Sequence, residues 1–242
     1  MLALHSSQVL ALEILSVGDS ITQGLFRTFG GSQSGVTSPQ NGSVNFGGYQ
    51  PRLNQRLDAE LIASTVYNYG VAGANSLDGR NRISTTLNSR PADYILINYG
   101  ANDLYQGLSD QANQANMRLM MIASLTAGVT PIIAEITPNT NTEFRSDLDG
   151  FINNFYNVRI RGLIDDFAEA SDPVSLAIAH QYQQLRPGWT SVPYHSGDGL
   201  HMRGSGNNVM ADEWFAAIVR QTALDKLNNP PTIVPVLLLL LE

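Results

Sequence analysis

Short apolar runs alternate with longer amphipathic stretches along most of this chain. The runs "EILSVG" (13–18), "TVYNY" (65–69), "YILINY" (94–99), "PIIAEI" (131–136) and "VSLAI" (174–178) have the length and β-branched or aromatic content of buried strands. Between them, 49–62, 110–127, 145–170 and 204–228 carry apolar residues at helical spacing. In the last of these, Val209, Met210, Trp214, Ile218 and Val219 form one stripe. Strands joined by helical crossovers predict a parallel sheet with helices on both faces, that is, a three-layer α/β/α domain with a five-stranded parallel sheet over residues 13–229. Ligands of such sheets bind beyond the carboxyl ends of the strands. Polar motifs that directly follow a predicted strand are therefore the first candidates for chemistry.

Three segments fall outside this alternation. Residues 25–48, "LFRTFGGSQSGVTSPQNGSVNFGG", are rich in Gly, Ser and Asn and lack hydrophobic periodicity. A connection this long is either a surface loop or a binding element, and because it leaves directly from the first strand's turn it is a candidate pocket wall. Residues 1–12, "MLALHSSQVLAL", read as an N-terminal extension or a signal remnant without a basic start, which gives the expectation of a secreted or periplasmic protein, with a cytoplasmic one as the alternative. Residues 230–242, "PPTIVPVLLLLLE", are a proline-interrupted apolar tail too short to span a bilayer. The expectation for this tail is an extended segment that packs on a neighbouring molecule and makes a homo-oligomer, dispensable for chemistry.

Composition removes several function classes. A net charge of −7 and the absence of any basic run argue against nucleic acid and anionic lipid as partners. There are no cysteines, so thiolate catalysis, disulfides and Cys-based zinc sites are excluded. No clustered His and carboxylate set at ligand spacing suggests a metal.

What remains is the chemistry of "VGDSITQG" (17–24). A strand, a tight Gly-containing turn and a helix would present the Ser20 hydroxyl at the strand's carboxyl end. Ser20 can be a helix cap without chemistry, an anion-holding hydroxyl or a nucleophile. An anion loop lacks support, since the stretch has neither the lysine of a Walker A motif nor the glycine spacing of a dinucleotide fingerprint. A nucleophile needs a base, an orienting acid and oxyanion donors. Among the four histidines, His201 closes "DGLH" (198–201), three positions after Asp198 and just before the last helix. That spacing can set the carboxylate against one imidazole nitrogen and leave the other facing a cavity. Oxyanion donors follow the next two strands: Gly73 in "NYGVAGANS" offers a backbone N–H unobstructed by a side chain, and Asn102 in "NYGANDL" offers an amide.

In order, "GDSIT", "VAGANS", "GAND" and "DGLH" resemble the four blocks of the SGNH/GDSL hydrolases, a resemblance that spans residues 14 to about 220. It implies a flavodoxin-like SGNH hydrolase fold and a serine esterase working through an acyl-enzyme, with no cofactor and no metal. The implied roles are Ser20 as nucleophile, His201 as general base and Asp198 as its orienting acid. The Ser20 N–H, Gly73 N–H and Asn102 side chain would form the oxyanion hole. Asp19, which precedes the serine in that family too, would hold the turn rather than touch substrate, though it stands among the candidate substrate-side residues. The others are Phe26, Phe46, Leu104 and Tyr105, with Leu25 and Phe29 nearby; together they would suit a short acyl or aryl group. "GGYQPRLNQRL" (47–57) resembles the helix start of some carbohydrate acetylesterases. The expected substrate is thus a small-molecule ester with a short-chain acyl or aryl group, with an acetylated sugar or xylan as the alternative. A flavodoxin-like phosphate-binding module is the reading from another class.

Overall fold

The computed structural model describes residues 11–27, 33–141, 145–171, 173–190 and 194–228. Among them, the strands are β1 (Leu12–Gly18), β2 (Leu25–Arg27), β3 (Gln33–Gly35), β4 (Ser43–Val44), β5 (Ser64–Asn68), β6 (Tyr94–Asn98), β7 (Thr130–Ala134) and β8 (Ile178–Ala179). The main sheet has the order β4-β5-β1-β6-β7-β8. Its five strands from β5 to β8 run parallel, as expected; the addition is β4, which pairs antiparallel on the outer edge of β5. β2 and β3 form a separate two-stranded hairpin inside the 25–48 connection.

Helices cover the sheet as the alternation requires. α1 (Ser20–Gln23) follows β1; α2 (Gln50–Ala59) precedes β5; α3 (Ser76–Leu87) leads to β6; α4 (Ala101–Tyr105) and α5 (Asp110–Thr126) lead to β7. α6 (Leu148–Phe151), a π-helical segment (Ile152–Asn157) and α7 (Val158–Ala168) then lead to β8, and α8 (Gln181–Leu185) and α9 (Gly204–Asn228) close the described chain. β6 is buried at every position, which explains its unbroken "YILIN" pattern: with helices on both faces, no side of the strand meets water.

Two expected elements differ, each for a visible reason. The stretch 174–178 contributes only Ile178 to a strand, because α9 takes over its backbone partners. Gln221 accepts the Ala177 N–H at 2.6 Å and donates to the Ser175 carbonyl at 3.1 Å. The stretch 145–170 is helical but not one regular helix. Its π-helical turn presents Asn157, whose amide donates to the Ile136 carbonyl at 3.0 Å while accepting the Ile136 N–H at 2.7 Å. This pair pins the chain where it leaves β7 and begins the loop that borders the serine site. Among the described residues, no helix is long and apolar enough to cross a membrane. The expectations for 1–10, for Phe29 and for the 230–242 tail lie outside the described residues.

Candidate active site

The serine turn is built by residues that leave Ser20 little choice of position. β1 ends at Gly18, where a Cβ would lie 2.1 Å from Thr22 Oγ1, so only glycine lets α1 fold back over the strand end. Asp19 caps α1, its Oδ1 accepting the Ile21 N–H at 2.9 Å. Ser20 is the first residue of α1, almost wholly buried yet on the wall of a cavity. Gln23, fully buried, then ties the turn to two loops: it accepts the Ala72 N–H at 2.6 Å and donates to the Val36 carbonyl at 2.7 Å.

The "DGLH" turn supplies a hydrogen-bonded partner for Ser20. His201 Nε2 lies 2.9 Å from Ser20 Oγ, and His201 Nδ1 lies 2.6 Å from Asp198 Oδ2. An ionised carboxylate only accepts, so Nδ1 carries the proton toward Asp198 and Nε2 is left to accept the serine O–H. Asp198 Oδ1 in turn accepts from Ser196 Oγ, Leu200 N–H and His201 N–H, at 3.0, 3.0 and 2.9 Å. Partial burial alone would raise this carboxyl. The His201 ring, the His201 and Leu200 N–H groups and the imidazole's charge together outweigh it and hold the group well below the usual carboxylate range. The turn is braced from the loop after β7, where the Thr140 N–H donates to the Gly199 carbonyl at 2.9 Å.

Gly73 and Asn102 face the same cavity from the next two strand ends. Gly73 has a φ of +79°, which favours glycine, and its N–H makes no hydrogen bond within the described residues. Asn102 Nδ2 donates one hydrogen to the Ala74 carbonyl at 3.0 Å. An amide nitrogen carries two, so the second is free to point elsewhere. The Gly73 carbonyl accepts from Gln106 Nε2 at 2.7 Å, and Gln106 Oε1 accepts from Asn75 Nδ2 at 2.6 Å. α4 and Gln106, which caps its end, therefore hold the glycine loop at both consecutive carbonyls. α4 is itself anchored from below by Asp103, which accepts the Ser76 N–H at 2.9 Å, the Ser76 hydroxyl and Asn113 Nδ2 at 3.1 Å.

The cavity these groups share has a volume of ≈ 440 Å³ and is also bordered by Leu25, Ala72, Tyr105, Asn141 and Leu200. Of the candidate substrate-side residues, Tyr105 is on this wall. Leu104 points the other way on α4 and belongs to the hydrophobic core, as a residue one step along a helix must. Asp19 lies beneath the turn, 2% exposed and occupied with its cap. Phe26 lines a different cavity, because alternation along β2 sends it away from Leu25. Phe46 is half exposed and contributes its carbonyl, which accepts from Asn68 at 2.9 Å. Burial raises the Asp19 carboxyl to about 7, a rise that the Ile21 N–H and the charge of His201 offset only in part. The other described histidines sit apart from Ser20. His195 stacks on Trp189 at 5.2 Å between ring centroids, and His180 lies 3.5 Å from the buried Glu135.

Sequence reasoning missed the groups that position the site: Gln23, Gln106, Asp103 and Asn139. Asn139 is fully buried and donates to the Tyr105 hydroxyl at 3.0 Å. "VGDSITQG" contained Gln23 and "GAND" contained Asp103, but nothing in either stretch showed which way these side chains face. Among the described residues, no three or more His, Cys, Asp or Glu gather as a metal would require.

Comparison with known proteins agrees with this architecture. Among solved structures, an acetylxylan esterase from Geobacillus stearothermophilus superposes with a TM-score of 0.65 at 16% identity, covering 86% of this chain and 94% of its own. A GDSL-like lipase assigned in Parabacteroides merdae superposes with a TM-score of 0.67 at 19% identity, covering 85% and 94%. A family 3 carbohydrate esterase from Clostridium thermocellum gives 0.64 at 19% identity, covering 91% and 100%. No curated protein matches the chain by sequence. A family model does, over residues 16–209, a span that contains all four motifs: the chain belongs to the GDSL-like lipase/acylhydrolase family and is a carboxylic ester hydrolase.

Proposed function

We propose that the chain hydrolyses esters of short acyl or aryl acids through Ser20, His201 and Asp198. The observation that carries this reading is the unbroken relay from Ser20 Oγ to His201 Nε2 at 2.9 Å and from His201 Nδ1 to Asp198 Oδ2 at 2.6 Å, opening on a cavity. As Ser20 Oγ bonds to the ester carbonyl carbon, its proton passes to His201 Nε2, and Asp198 stabilises the imidazolium. The carbonyl oxygen takes up negative charge facing the N–H groups of Ser20 and Gly73 and the second hydrogen of Asn102 Nδ2. Collapse expels the alcohol, which takes the proton from His201, and leaves an acyl group on Ser20. Water repeats the sequence on that acyl-enzyme and frees the acid.

A volume near 440 Å³ walled by Leu25, Ala72, Tyr105 and Leu200 suits a short acyl group better than a long one. The second reading, a carbohydrate acetylesterase, is favoured by the structural neighbours described as acting on acetylated xylan. Acetyl falls within both readings as a transferred group, and the alcohol differs. Ser20→Ala tests the proposal: release of p-nitrophenol from p-nitrophenyl acetate should fall by several orders of magnitude, up to roughly a million-fold as in a comparable serine hydrolase. Unchanged far-ultraviolet circular dichroism and retained turnover in a clean preparation of that variant would refute it.

A further inference from the structure

A second cavity of ≈ 650 Å³ lies against the serine cavity on the far side of β2. Side chains alternate along a strand, so Leu25 borders the first cavity and Phe26 the second; likewise His201 borders the first and Met202 the second. The two cavities thus share the Leu25 and His201–Met202 wall. The floor of the second is nearly bare backbone, contributed by Gly24, Gly35, Gly47, Gly48 and Gly204. Around it stand the Phe26 ring, packed so closely on Gly35 that a Cβ there would lie 2.7 Å from it, and polar side chains from two helices. Arg52 and Gln55 come from α2, Asn207 and Asn208 from α9.

The chemistry of this wall selects its ligand. Among the described residues no bordering side chain is a carboxylate, although the chain carries a net charge of −7, and Arg203, together with Arg52, which lies 3.9 Å from Asp212, would repel a cation. Among the described bordering residues, Phe26, Val36, Pro51 and Met202 are the apolar ones beyond glycine, which serves a long acyl chain poorly. A side-chain-free floor admits a flat ring. One aromatic face can receive the apolar C–H face of a pyranose, and amide and guanidinium groups can exchange hydrogen bonds with hydroxyls at its rim.

We propose that this cavity binds the sugar rings of a saccharide chain whose ester-bearing unit lies at Ser20. The proposal rests on the esterase reading above and narrows its substrate to esterified oligosaccharides. Its test separates binding from turnover. Unesterified xylohexaose, mannohexaose and cellohexaose are titrated calorimetrically into the full chain, the Asn208→Ala variant and the Phe26→Ala variant. In parallel, acetylated forms of the same oligosaccharides and p-nitrophenyl acetate are compared as substrates. One of the three should bind, and both variants should weaken it by about tenfold or more, equivalent to about 1.4 kcal/mol. KM for its acetylated form should rise similarly, while in Asn208→Ala kcat/KM for p-nitrophenyl acetate should stay within about twofold. Asn208 is exposed, so its loss does not threaten the hairpin that Phe26 helps to pack. Binding by none of the three, or an equal loss on both substrate types in Asn208→Ala, would overturn the proposal. Failure of the unaltered chain to release p-nitrophenol would count against the esterase reading instead, and the titration would still decide the cavity.

Discussion

Asp19→Asn should make the protein more stable, and increasingly so as the pH rises. Asp19 is 2% exposed beneath the nucleophile turn, and its burial lifts the carboxyl from the ordinary 3.8 to about 7. A carboxyl whose folded pKa exceeds its unfolded pKa binds its proton more tightly in the fold. Its contribution to stability is fully present below the unfolded value and is lost as the pH rises through the folded one. Each unit corresponds to about 1.4 kcal/mol, so the loss totals on the order of 4 kcal/mol. Spread over the titration, it is small at pH 4, about 3 kcal/mol at pH 6 and reaches its full value above about pH 8. Asparagine is isosteric, stays neutral at every pH and keeps an oxygen for the Ile21 N–H, so the cap on α1 survives. Urea unfolding followed by far-ultraviolet circular dichroism at pH 4, 6 and 8 measures the difference between the two proteins. A difference that widens by several kcal/mol over that range supports the reasoning. One that is flat or narrows refutes it, because Asp19 would then be ionised in the fold throughout.

The remaining predictions concern the proposed chemistry. His201→Ala should lose nearly as much turnover of p-nitrophenyl acetate as Ser20→Ala, whereas His195→Ala, which loses a stack on Trp189, a bond to its backbone and an acceptor for the Gly197 N–H, should cost about tenfold or less; equal losses would contradict the relay. Asn102→Ala should lower kcat about a hundredfold or more with KM little changed, and a pure rise in KM would make it a binding residue instead. Gln106→Leu removes the bond to the Gly73 carbonyl without touching the cavity, so kcat should fall by roughly tenfold with KM unaffected; an unchanged kcat would show that the glycine loop holds its N–H in place without Gln106.

The parallel sheet was legible because its strands are buried on both faces. Continuous apolar runs such as "YILINY" have no other use in a chain this polar, and four of the five expected strands lie within one or two residues of the observed ends. Three of the four motifs were legible because each follows a strand, and "DGLH" because it closes a turn just before the last helix. α3 was not, since "SLDGRNRISTTL" has few apolar positions and an internal glycine. The structure explains that glycine: a Cβ on Gly79 would lie 2.6 Å from the Tyr99 ring. The capping box of Asn75 and Asp78 was the signal that could have found the helix. The β2–β3 hairpin was hidden because a small hairpin over a cavity needs no alternating face. Leu104 and Phe46 were misplaced for a related reason: chain proximity to a motif says nothing about which side of a helix or loop a side chain takes.

The two aspartates around Ser20 show why residue type alone could not assign roles. Asp198 gathers donors from Ser196, Leu200 and the His201 backbone besides the imidazole, and is held ionised. Asp19, in near-complete burial, has the Ile21 N–H and its own backbone N–H as neutral donors, which do not offset the burial, and is pushed the other way. Near neutral pH the site therefore keeps one full negative charge in contact with His201 and part of a second beneath Ser20. That division suits the proposed relay, since a second full charge under the serine would oppose formation of the oxyanion above it. The same environment makes Asp19 a cost to the fold, which is why the substitution that neutralises it is expected to stabilise a protein whose other buried carboxylates among the described residues, Asp103, Glu135 and Glu213, are held by two or more donors each.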